Sequence, residues 1–100
     1  MKVTIQSPQL TVNKPLNDFI QKRLDKLELF YERILRAEVY LKLVNSSEKS
    51  NKISEILLFI PGEKLIIKKE ATSFEAAIDS SIHSLVRGLK KNKAKYRAHI

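Results

Sequence analysis

The sequence predicts an α+β fold, a single β-α-β-β-β-α domain with a four-stranded sheet and two helices packed on one face. Three observations predict it. Three stretches alternate apolar and polar residues with the period of half-buried strands. Two longer stretches repeat apolar residues at helical spacing. In each strand one side is much more apolar than the other, so both helices must cover the same side. One hundred residues suit one domain, and the 43% hydrophobic share suits a modest core.

Lys2–Gln6 sets Val3 and Ile5 against Lys2, Thr4 and Gln6, a short strand that Ser7-Pro8 ends. Asn13 is an N-cap, with Pro15 tolerated in the first turn. The first helix is predicted from about Lys14 to Ile34. Its buried stripe is Leu16, Ile20, Leu24, Leu27, Tyr31 and Ile34, flanked by Phe19 and Phe30. Its charges sort by sign: Lys22, Lys26 and Arg33 along one flank, Asp18, Asp25, Glu28 and Glu32 along another. The sorting reads equally as helical charge pairing or as a basic stripe. Arg23 borders the apolar arc, so its stem packs while its head reaches out.

Arg36–Val44 alternates cleanly, with Ala37, Val39, Leu41 and Leu43 on one face. Residues 45–51 read as a polar hairpin loop. Lys52–Ile60 is the next strand, and Pro61-Gly62 signals a type II turn into the last, Glu63–Glu70. A strand, helix and strand in succession imply a parallel crossover between the first two strands. With Ile56, Leu58 and Ile60 inward, Leu57 and Phe59 point outward near Tyr40 and Ile66. That outer patch reads either as scattered surface hydrophobes or as a contact surface.

The final helix opens at Thr72-Ser73-Phe74-Glu75, by a Thr72/Glu75 capping box or with Ser73 as the cap. Phe74, Ala77, Ile78, Ile82, Leu85 and Leu89 form its core face. Beyond Leu89 the apolar supply nearly stops. The formal net charge of the chain is +8, and Arg87, Lys90, Lys91, Lys93, Lys95 and Arg97 supply +6 of it, with no acid among them. The basic character is local to one helix end. One or two lysines would suit the negative end of a helix dipole. Six in eleven residues exceed that and point to a polyanion. Arg87, Lys91 and Lys95 recur at i, i+4 and i+8, and Lys22 and Lys26 repeat the spacing on the first helix. With the helices side by side, these five border one phosphate-binding surface.

Other classes find little support. There is no catalytic constellation and no glycine-rich phosphate loop, the chain having only two glycines, so an enzyme is not expected. No cysteine is present, and His83 and His99 lack ligand spacing, so no metal or cofactor is expected; His83 reads as a surface side chain. No apolar run is long enough to span a membrane, and no secretory signal is recognised, which fits a cytoplasmic protein. A peripheral membrane role lacks an aromatic-rich apolar face, Tyr96 alone being insufficient. Clustered cations without interleaved aromatics suit structured RNA read by shape rather than base stacking. A general structured- or double-stranded-RNA binder therefore stands as one reading.

The element order, the run Arg23-Leu24-Asp25-Lys26-Leu27-Glu28, and the run Ala76-Ala77-Ile78-Asp79 continuing to Leu85-Val86-Arg87-Gly88-Leu89-Lys90-Lys91 resemble the ribosome hibernation promoting factor family. That family is also called ribosome-associated inhibitor or sigma-54 modulation protein. The resemblance covers almost the whole chain and implies a double-stranded-RNA-binding-domain-like architecture. It implies a translation inhibitor that binds the small ribosomal subunit between head and body, over the messenger and tRNA paths, and promotes hibernation under stress or in stationary phase. The matching RNA-contacting positions are Arg23 and Lys26 on the first helix and Arg87 and Lys91 on the second. Charge placement adds Lys22, Lys90 and Lys95. Ser84 departs from the family by standing where members commonly carry a cation, and the cations beyond Lys91 compensate. The implied partners are the small subunit, its ribosomal RNA and, through other factors, a second ribosome, with a monomer off the ribosome. The chain resembles the short form, lacking the C-terminal dimerisation domain of long members.

Overall fold

The computed structural model describes residues 1–44 and 51–98, with side chains described through Lys93. Its elements are β1 (Lys2–Gln6), α1 (Lys14–Phe30), β2 (Arg36–Leu43), β3 (Lys52–Ile60), β4 (Glu63–Ala71) and α2 (Phe74–Ala98). The sheet order is β1-β2-β3-β4. β1 runs parallel to β2, and β2, β3 and β4 form an antiparallel meander. The predicted α+β architecture is the one observed. Residues 45–50 of the expected hairpin loop lie outside the described residues.

Local chemistry accounts for the boundaries. The Asn13 side chain accepts a hydrogen bond from the Leu16 amide at 2.9 Å, capping α1. α1 ends at Phe30, four residues short of the predicted end. Tyr31 takes an extended conformation as C-cap while its amide still bonds to the Leu27 carbonyl. Tyr31 and Ile34 are buried as expected, but they hang from the connection into β2, so their apolar period outlasts the helix. Arg33 and Glu32 therefore leave the helix flanks assigned to them. At α2 the choice of caps resolves to Ser73, whose hydroxyl accepts from the Ala76 amide at 3.1 Å. Gly62 holds φ at 83°, the positive angle a type II turn requires after Pro61. Gln9 clasps the end of β2, accepting from the Leu43 amide at 2.8 Å and donating to the Leu43 carbonyl at 3.1 Å.

Both helices cover one face of the sheet. Ile20 and Leu24 of α1 and Ile78, Leu85 and Leu89 of α2 meet Val39, Leu41, Ile56 and Leu58 in one core. Fully burying a side chain of this size contributes about 1.5–3 kcal/mol. Ile82 is only half-buried. The fully buried position in its place is Ser81, whose hydroxyl donates to the Ala77 carbonyl at 2.8 Å and lies 3.4 Å from the Ser54 hydroxyl. Two small residues facing each other bring α2 close to β3. Gly88 does the same over β4, where an added Cβ would stand 3.3 Å from Leu65 Cδ1.

Candidate nucleic-acid interface

The connections make α1 and α2 run side by side in the same direction, and two contacts fix their seam. Near the start of α2, the Arg23 Nε donates to Asp79 Oδ1 at 2.7 Å, while its guanidinium lies 4.4 Å above the Phe19 ring. Toward the end of α2, the Lys93 ammonium donates to the Phe30 carbonyl at 2.8 Å and lies 4.4 Å from the Phe30 ring centre. A cation at the C-terminus of α1 satisfies a carbonyl left over by the last turn and suits the dipole. Asn92 completes the anchorage. It accepts from the Tyr31 hydroxyl at 2.6 Å and donates to Glu63 at the start of β4. The basic end of α2 is thus tied both to α1 and to the sheet.

These contacts divide the cations into two groups. Arg23 and Lys93 are half-buried and engaged within the fold. Lys22, Lys26, Lys90 and Lys91 are exposed, with no side-chain partner among the described residues. Arg87 is exposed and, among the described residues, donates to the Ser84 hydroxyl at 3.3 Å. Ser84 thus steadies a neighbouring cation. Lys95 falls within α2, but its side chain lies outside the described residues.

The acids of α1 have partners of their own. Glu28 pairs with the Met1 amino group, Asp25 accepts from Gln21 at 3.0 Å, and Asp18 accepts from Lys14 at 2.9 Å. That last contact raises the Lys14 pKa, through the hydrogen bond first and the carboxylate charge second. Arg23 and Phe30 mark the side of α1 turned to α2. At about 100° per residue, Lys22 and Lys26 are the next positions around in that direction, while Glu28 falls on the opposite flank. The basic-stripe reading of α1 matches this arrangement for Lys22 and Lys26.

Of the five cations expected to border one surface, Lys22 and Lys26 lie toward the α2 side of α1, and the side chain of Lys95 lies outside the described residues. On α2, Asp79 and Lys93 mark the α1 side, and Gly88 against Leu65 marks the β4 side. By the same helical arithmetic Lys90 leans toward α1, whereas Arg87 and Lys91 lean toward β4. Lys22, Lys26 and Lys90 therefore overlook the seam, and Arg87 and Lys91 extend the basic surface over the far shoulder of α2. The spacing i, i+4 identified a common stripe but carried no information about which neighbour that stripe would face.

Sequence reasoning had no signal for the anchoring role of Lys93 and Asn92, since both contacts join residues about sixty positions apart. Among the described residues, no cluster of three or more His, Cys, Asp or Glu could hold a metal ion, and no helix is long and apolar enough to cross a membrane. His83 is exposed, as predicted.

Residues 3–97 match the family described as sigma 54 modulation protein / S30EA ribosomal protein. The chain is 32% identical to a ribosome hibernation promoting factor of Pseudomonas putida, over 98% of this chain and 92% of that protein. It is 30% identical to the ribosome hibernation promoting factor of Escherichia coli K12, over 99% and 100%. Its fold superposes on a ribosomal subunit interface protein from Coxiella burnetii with a TM-score of 0.83 at 19% identity, covering 94% of this chain and 99% of the other. It also superposes on the N-terminal domain of Protein Y from Thermus thermophilus with a TM-score of 0.78 at 24% identity, covering 91% and 98%.

Proposed function

Because the chain belongs to the sigma 54 modulation protein / S30EA ribosomal protein family, we propose that it is a ribosome hibernation factor of the cytoplasm. It binds the small ribosomal subunit through ribosomal RNA and blocks the messenger and tRNA paths between head and body. Its target is the idle ribosome of stressed or stationary-phase cells. The chain acts as one ribosome-binding domain, and it inhibits by occupancy rather than by catalysis.

The observation that carries this reading is the outward surface of the paired helices. Exposed Lys22, Lys26, Arg87, Lys90 and Lys91 stand on a rigid two-helix layer, and the nearby acids are engaged with other partners. Such a layer neutralises phosphates and releases their counterions, giving affinity that falls steeply with salt. Rigid spacing of the cations selects an RNA surface by shape rather than by base sequence. Arg23 contributes through the edge of a guanidinium whose Nε is already held by Asp79.

The test is co-sedimentation of purified protein with isolated ribosomal subunits, paired with inhibition of a translation extract. Binding is expected to small subunits and not to large ones. Inhibition is expected to saturate near one protein per ribosome. Inhibition at protein far below ribosome concentration would mean turnover and would overturn the occupancy mechanism. Equal binding to both subunits would favour a general RNA binder.

A further inference from the structure

The sheet has a second face, turned away from the helices, and the register assembles a basic row across it. Lys2 pairs with Arg36, Arg36 with Phe59, and Phe59 with Lys64. These four residues share the outer face because the inward positions alternate with them. The Arg36 guanidinium lies 3.8 Å from the Phe59 ring centre, and the Lys64 ammonium lies 5.8 Å from it. The ring face thus holds both cations at the surface without neutralising them. Lys2, Arg36 and Lys64 are exposed, and no acid stands in their row. Glu38, two residues along β2 on the same face, accepts from the Tyr40 hydroxyl, and Glu63, next to Lys64 in β4, accepts from Asn92.

The row lies at the end of the molecule where the basic half of α2 is anchored, since Asn92 bonds to Glu63 beside Lys64. Lys91 leans over the β4 side of α2, and Lys64 stands across that strand on the other face. Cations therefore ring one end of the domain on both faces.

We propose that the row Lys2, Arg36 and Lys64, organised by Phe59, is a second phosphate-binding surface that contacts RNA on the side opposite the helices. The inference rests on the proposed ribosomal partner and adds a face to it. Strands about 4.8 Å apart set the Arg36 and Lys64 backbones roughly 10 Å apart. Two separate phosphates can be met across that span, one on each side of the ring. The domain is then gripped between two RNA surfaces rather than docked on one.

The test compares wild-type protein, the Arg36→Glu, Lys64→Glu variant and the Lys42→Glu, Lys68→Glu variant for binding to small subunits across salt. The last pair lies on the same face outside the row and controls for net charge. Circular dichroism and thermal unfolding check the fold, and Arg36→Lys, which keeps the charge, is a conservative second variant. The row variant is expected to bind at least tenfold more weakly. Its slope of log affinity against log salt should fall by about 0.7–0.9 unit per lost contact. The control pair and Arg36→Lys should stay within a few fold of wild type. A photocrosslinking residue in place of Ile66, which is 56% exposed on this face, should label ribosomal RNA. Unchanged affinity and slope in a folded row variant, an equal loss in the control pair, or crosslinks to ribosomal protein alone would each overturn the inference while leaving the helix surface intact. Failure of the wild type to bind small subunits would overturn the proposed function, and this inference with it.

Discussion

Lys91 and Lys93 stand two residues apart on α2, and their positive charges meet different fates. Lys93 turns toward α1, donates to the Phe30 carbonyl and lies against the Phe30 and Tyr31 rings. Lys91 stays in solvent, with no partner among the described residues. The flanks of α1 repeat the contrast. Its acids are engaged with Met1, Gln21 and Lys14, while Lys22 and Lys26 are left open toward the seam. A basic sequence run therefore mixes two kinds of residue: cations that hold the fold together and cations left in solvent. Substitution should separate the two by which measurement moves.

The largest effect is expected at the seam. Lys22→Glu, Lys26→Glu and Lys90→Glu together would turn three of the proposed phosphate contacts repulsive. Affinity for small subunits should fall by a hundredfold or more. Unfolding free energy should move by no more than about 0.5 kcal/mol per site, as for exposed positions. An equally large loss of stability would make these residues structural and break the contrast.

Lys93→Met should do the reverse. It removes a charged hydrogen bond worth about 1.5–3 kcal/mol and a ring contact worth roughly 0.5–1 kcal/mol. The packed stem that methionine keeps offsets part of this, so denaturant unfolding should show a loss of about 1–2 kcal/mol. Binding should weaken less than at the seam, and only through looser placement of the α2 end.

A smaller effect is expected at Arg23, where the ion pair is partly exposed, 35% at the arginine side chain and 53% at Asp79. Arg23→Lys loses the guanidinium stack on Phe19 and should cost under about 1 kcal/mol, because exposed pairs are screened. The same substitution should weaken small-subunit binding by only a few fold.

The smallest effect is pH-dependent. The Lys14 pKa is raised in the folded state by its hydrogen bond to Asp18 and by the Asp18 charge. Its contribution is fully present below the pKa of unfolded lysine and is lost as pH rises through the folded value. Thermal unfolding of Lys14→Gln should therefore differ from wild type slightly near neutrality and converge with it in alkali. A difference that grows with pH would contradict the assignment.

The fold was legible in the sequence wherever one period governed one element. β1 and β3 fall at their predicted limits, and β2 and β4 differ at one end by a single residue. Periodicity misled at the end of α1, because Tyr31 and Ile34 continue the apolar spacing while the backbone has already become extended. It misled again at Ser81, where close helix–sheet approach rather than hydropathy decides burial. The candidate site was legible as charge density, which is local. It was not legible as geometry, because the seam depends on Arg23 meeting Asp79 and Phe30 meeting Lys93 across the chain. The outer face behaved in the same way. Its apolar content could be read from alternation, but the row of Lys2, Arg36, Phe59 and Lys64 exists only once the strands are in register.

If exposed cations on the helix layer bind ribosomal RNA by displacing counterions, titration of small subunits across a range of salt should separate wild-type protein from the Arg87→Glu, Lys91→Glu variant. Neither residue touches the core, so the variant should unfold like wild type. Its affinity should fall greatly, and its slope of log affinity against log salt should be shallower by about two units, somewhat less if each contact counts about 0.7. Equal affinities and equal slopes in a folded variant would contradict the account and reduce the basic end of α2 to a solvated helix terminus.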